Sequence, residues 1–182
     1  MTGVVYLSYA VIALIGQALA SFQPGSGLAT AVQVGGTLWY AIVSLLLCRL
    51  FGDPTRGAGA LAMVSAVIGC VLQSLYYALG LSREAEIAAL VFFGLFLAFL
   101  GYLVIRSALI PRAIGIWLLA AGLSWLALLT PAPAAVLAPV ILLAGSSELA
   151  LMTWLLVRGT RERGTGPLGR PRVPFRSADN TY

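Results

Sequence analysis

Glu148 is the residue of this sequence with the most chemistry to offer. It is an acid inside a long apolar run, residues 135–157, nine positions before that run ends. At ~1.5 Å per helical residue it lies about 13 Å from the end of the run, near the middle of a ~30 Å hydrocarbon layer. An ionised carboxylate at that depth costs roughly 3 kcal/mol or more, so it has to be protonated, paired or wetted. Two roles fit. One is a proton-linked or ligand-binding group in a central pocket. The other is a neutral acid making helix-to-helix hydrogen bonds.

Other polar side chains share the outer half of that layer. Gln17, Thr37, Gln73 and Ser124 fall, by the same rise per residue, between the midplane and the outer third, and Gln33 lies higher. Facing inward together, they line a small pocket that opens outward with Glu148 at its floor. Each alone also reads as a packing hydrogen bond. No basic residue stands at that depth to pair with Glu148.

Several chemistries are excluded. Histidine is absent, which removes the commonest general base and metal ligand. Cys48 and Cys70 lie in apolar runs with no C-x-x-C or metal-ligand spacing, so they read as small buried apolar residues. No Ser or Cys stands beside a base and no second carboxylate shares the depth of Glu148. The expectation is therefore no catalytic residue, no metal and no cofactor.

The elements that hold these residues follow from composition. Of 182 residues 60% are hydrophobic and 9% charged. A soluble domain carries about 25% charged residues, so this chain cannot cover a water-facing surface, and lipid is the solvent that fits it. Six apolar stretches, residues 4–20, 28–48, 58–79, 87–105, 111–129 and 135–157, are each long enough to cross a bilayer as a helix. Turn-forming pieces separate them, including Gln23-Pro24-Gly25-Ser26-Gly27, Gly52-Asp53-Pro54-Thr55-Arg56-Gly57 and Thr130-Pro131-Ala132-Pro133. Pro111 fits the first turn of the fifth helix. The runs lack the alternation of a membrane β-barrel. The expected fold is all-α, an integral membrane bundle of six transmembrane helices over residues 1–157. A basic tail, residues 158–182, is too poor in apolar side chains to fold alone.

Orientation comes from the arginines, since every basic residue is Arg. Arg49 and Arg56 flank the second loop, Arg106 and Arg112 the fourth, and Arg158, Arg161, Arg163, Arg170, Arg172 and Arg176 follow the last span. Only Arg83 lies on the other side, so ten of eleven share one face of a six-span bundle. The positive-inside rule puts that face, and both ends of the chain, in the cytoplasm. Ala18-Leu19-Ala20 resembles a signal-peptidase site, but Met1-Thr2-Gly3 carries no positive charge, which argues against cleavage. Tyr102 and Trp154 suit the inner interface, where amphipathic rings bridge lipid and water. The expected partners are the bilayer itself, anionic lipid head groups at the basic tail, and a second copy or another membrane protein. The charge placement does not suit nucleic acid.

A family resemblance supports this reading over residues 85–160. Gly101-Tyr102-Leu103-Val104-Ile105-Arg106-Ser107-Ala108-Leu109-Ile110-Pro111-Arg112-Ala113-Ile114-Gly115 resembles the G-Y-L-x-x-R-S-x-x-[IL]-P-R-x-x-G segment of the DUF4386 family. The stretch from Ser147 through Glu148 and Trp154 to Arg158 and Gly159 is similar to that family's closing E-L-x-L-x-x-W-L-L-V-[KR]-G. The resemblance implies a bacterial, multi-pass protein of the inner (plasma) membrane and supplies no activity. In the residues themselves, Arg106, Pro111, Arg112 and Arg158 read as anchors and turn-formers. Function is then expected to be that of a structural or accessory membrane component, or of one that binds a small ligand. The alternative is a carrier or receptor for a small apolar or cationic molecule at the Glu148 pocket.

Overall fold

The computed structural model describes residues 2–23, 25–51, 57–107, 109–129 and 134–157. Arg56, with its loop, and the basic tail that begins at Arg158 lie outside these residues. The described chain is all-α: α1 Thr2–Phe22, α2 Gly27–Phe51, α3 Gly57–Leu79, α4 Arg83–Ser107, α5 Arg112–Ser124 and α6 Ala134–Val157. A 3-10 segment, Trp125–Leu129, extends α5. Each of the six apolar stretches of the sequence thus corresponds to one helix. Five of the helices are long and apolar enough to cross a membrane, whereas α5 is shorter.

The shortening of α5 corrects the expectation of one continuous helix over residues 111–129. Two causes are visible. Pro111 stands before the helix rather than in its first turn, at φ −53° and ψ 130°, with its carbonyl accepting the Ile114 N–H at 3.0 Å. At the other end the chain approaches Thr130-Pro131-Ala132-Pro133, which cannot continue a helix, and tightens to 3-10 geometry first. The tighter helix rises further per residue. Thirteen α residues at ~1.5 Å and five 3-10 residues at ~2.0 Å reach about 30 Å together.

Successive helices are neighbours, and α1 also meets α6 to close a ring. Gly16 of α1 faces Gln33 of α2, and Gly36 of α2 faces Ile12 of α1. The ring closes where Gly3, at the start of α1, meets the backbone of Leu155 near the end of α6. α4 is the most enclosed element, with Phe96, Leu97, Leu100 and Val104 at 2% exposure or less. The outside of the bundle is apolar. Leu14, Val64, Ile116 and Leu142 are each more than half exposed. Water would not tolerate that girdle and hydrocarbon does.

The tightest packing is between α4 and α5, and glycine makes it possible. Gly94 and Gly101 repeat at seven residues on α4, as Gly115 and Gly122 do on α5. A Cβ at Gly101 would sit 2.6 Å from the Gly115 carbonyl oxygen, and one at Gly122 would sit 2.5 Å from that of Gly94. Both obstacles are backbone, so neither can swing aside. Not every glycine of the helices is interfacial. Gly115 and Gly122 lie in this seam, and Gly69 faces Phe93, but a Cβ on Gly35 would meet nothing within 4 Å.

Gly101→Val and Gly122→Val should each lower unfolding stability in detergent by about 1–3 kcal/mol or more through overpacking, while Gly35→Ala should change it by less than about 1 kcal/mol. Equal effects at all three positions, read by denaturant titration of the purified protein, would contradict the seam.

Candidate functional site

A cavity of about 230 Å³ lies between the helices, and Glu148 forms part of its wall. It is built from stripes at helical spacing. On α1 the stripe is Tyr9, Ala13 and Gln17, each four residues apart. On α2 it is Gln33, Thr37 and Tyr40, and on α3 Gln73 and Tyr77. Phe93 and Leu97 enter from α4, Trp125 from the 3-10 segment and Glu148 from α6. Residues three or four apart share one helix face, so α1, α2 and α3 each turn a stripe with polar and aromatic side chains toward the cavity.

Glu148 is half-buried and is held by tyrosines from two other helices. The Tyr6 hydroxyl of α1 donates to its Oε2 at 2.8 Å, and the Tyr40 hydroxyl of α2 approaches its Oε1 at 3.4 Å. Both carboxyl oxygens therefore face donors. The rings carrying those donors are packed in turn. Tyr40 lies 4.6 Å from Tyr9 and meets Phe93 and Phe96 edge-on at 5.4 and 5.8 Å. Edge-to-face and offset geometries are the favourable ones for aromatic pairs. No arginine among the described residues lines the cavity. Nor do the described residues hold any group of three or more His, Cys, Asp or Glu side chains that could bind a metal.

The other end of the cavity is polar without charge. Gln17 and Gln73 both engage the Tyr77 hydroxyl. The Thr37 hydroxyl is used inside its own helix, donating to the Gln33 carbonyl at 2.9 Å. Trp125 is 8% exposed, and its buried Nε1–H has no partner.

The structure brings Glu148, Gln17, Thr37, Gln73 and Gln33 to one cavity, and leaves Ser124 out. Depth along a helix sets height and not direction. The Ser124 hydroxyl turns back to the Ala121 carbonyl at 2.7 Å, and Trp125, the next residue round, takes the cavity position. Sequence reasoning missed Trp125 and every tyrosine of the site. Their signal was present as the Tyr6, Tyr9, Ala13, Gln17 spacing on α1.

The anchoring residues are arranged apart from the cavity. The Arg106 Nη1 donates to the Tyr102 hydroxyl one turn back at 2.8 Å, with its guanidinium 5.7 Å from that ring. Arg112 opens α5 after Pro111. Trp154 packs partly buried against the core near the end of α6. Cys48 and Cys70 are both buried free thiols, with 0% and 4% of their surface exposed.

Residues 75–159, which span the end of α3 through α6, match the family model of a domain of unknown function, DUF4386. This match covers 85 of the chain's 182 residues. No curated protein and no solved structure matches the chain. The DUF4386 segment supplies Tyr77, Phe93, Trp125 and Glu148 to the cavity. Tyr9, Gln17, Thr37, Tyr40 and the donor Tyr6 come from α1 and α2, outside the matched residues. The site is thus assembled across the boundary of the DUF4386 match.

Removing the shorter of the two tyrosine contacts should cost little but specifically. Tyr6→Phe should lower stability by about 0.5–2 kcal/mol, and the same change in a Glu148→Ala background should cost markedly less. Additive losses in this double-mutant cycle would show that the two side chains are not coupled.

Proposed function

We propose that this chain is a six-span protein of a bacterial inner membrane, with both termini cytoplasmic, that binds a small molecule in its central cavity. The membrane reading rests on five spanning-length apolar helices and the exposed aliphatic girdle. The sixth span is supported by the ~30 Å reach of α5 with its 3-10 extension. The orientation is supported by the arginines, ten of which fall on one side of a six-span arrangement. In that orientation Gln17, Gln73 and Tyr77 form the outer rim of the cavity and Glu148 its floor near the midplane.

The single observation that carries the binding role is the cavity itself, polar inside a bundle that is apolar outside. A bundle held by packing alone has no need of an enclosed space lined by a carboxylate, three glutamines and a tyrosine cluster. Apolar side chains there would pack without the cost of placing polar groups in hydrocarbon. The polar lining supports a role in binding a ligand. At about 230 Å³ the space suits a molecule smaller than the drug-sized ligands of ~300–1,000 Å³ sites.

Thermal unfolding in lipid nanodiscs tests the role. A ligand at a hundred times its Kd should add about 2.7 kcal/mol and raise Tm by several degrees. Ala13→Phe, which plugs the cavity wall, should fold and lose that response. If no compound in a broad panel of small amines, alcohols, acids and neutral apolar molecules stabilises the native chain more than the plugged one, the bundle has a structural role instead.

A further inference from the structure

We infer that the ligand is a small organic cation, an amine or quaternary ammonium with apolar substituents, seated between Glu148 and the rings of Tyr9, Tyr40 and Phe93. This rests on the ligand-binding reading above and names the chemical class that the site selects. The sign of the charge comes from Glu148. Among the described residues it is the acid of the cavity wall, and no cationic side chain of theirs lines the cavity with it. An anion placed there would be repelled, and a purely apolar ligand would offer the carboxylate nothing beyond its two tyrosine hydroxyls and no opposite charge. The two tyrosine hydroxyls approach one oxygen each, leaving each oxygen an accepting position for a ligand.

The aromatic walls decide between kinds of cation. The Tyr40 ring lies 4.6 Å from that of Tyr9 and 5.4 Å from that of Phe93, and all three line the cavity with Glu148. Ring faces attract alkylated ammonium groups, which are weakly hydrated and fit against apolar walls. A hard metal ion such as calcium instead needs six or more oxygen ligands. One carboxylate among rings does not supply that set, and no metal-binding cluster occurs among the described residues.

A second feature refines the ligand. Gln17, Gln33 and Gln73 line the same cavity as Glu148. A hydroxyl or carbonyl oxygen carried by the cation would accept from those side-chain amides. The favoured ligand therefore has an alkylated cationic head and an oxygen acceptor a few bonds away.

The test compares charge at constant shape. Full-length protein in nanodiscs is titrated with choline, tetramethylammonium and tetraethylammonium, and with the neutral tert-butyl isostere of choline. Native protein should bind choline about tenfold more tightly than the isostere. Glu148→Gln should abolish that preference, and Tyr9→Leu should weaken choline binding while Tyr9→Phe preserves it. Should either polar-site variant fold poorly, the preference of choline over its isostere in the native chain still decides. Equal or tighter binding of the isostere overturns the cation assignment and leaves the cavity as a binding site. So does a response to neutral or anionic compounds with none to the three cations. No response to any compound, with Ala13→Phe indistinguishable from native, removes the binding reading itself.

Discussion

The structure is organised around one constraint: a carboxyl group set among apolar helices needs hydrogen-bond donors beside it. Lipid offers no donors, so the donors must come from neighbouring helices. Glu148 receives them from Tyr6 of α1 and Tyr40 of α2. The contact ties α6 to the first two helices across sequence separations of 142 and 108 residues. It also explains why α1, otherwise the most lipid-exposed helix with only Gly3, Tyr6 and Gly16 buried, has a defined place in the bundle. Gly3 against Leu155 closes the same seam one level below.

The opposite side of the bundle is held by shape instead of hydrogen bonds. Gly94, Gly101, Gly115 and Gly122 bring α4 and α5 to backbone contact. Close approach of helices through small residues is how membrane bundles gain dispersion energy where burial from water contributes nothing. The same seam fixes the 3-10 segment, because Trp125 follows Gly122 by three residues and packs over Gly94. A rigid α4–α5 pair thus presents Trp125 to the cavity, and the Glu148–tyrosine contact places the facing wall.

Much of this was legible in the sequence. Run lengths located all six helices, because hydrocarbon thickness sets a length that composition reveals directly. Depth arithmetic brought Glu148, Gln17, Thr37 and Gln73 to one level, and the structure puts them in one cavity. What it could not supply was azimuth. Ser124 has the right height and the wrong direction, and its hydroxyl is consumed by Ala121. The tyrosines escaped because an aromatic ring in an apolar run reads as core or interface, although Tyr6, Tyr9, Ala13 and Gln17 form one stripe on α1. Reading polar and aromatic residues together at three- and four-residue spacing would have found it. Gly94 and Gly101 were missed for a different reason. A glycine in a helix reveals its role only when the facing helix is known.

The central claim is that Glu148 lies within the bilayer and is nonetheless reached by water from the outer side. Cysteine accessibility measures this directly. In a chain with Cys48 and Cys70 replaced by alanine, Glu148→Cys should react with a small membrane-impermeant thiosulfonate added outside intact cells, and Leu142→Cys on the lipid-facing surface of α6 should not. Failure of Glu148→Cys to label, labelling only from the cytoplasmic face, or equal labelling at both positions would contradict the account.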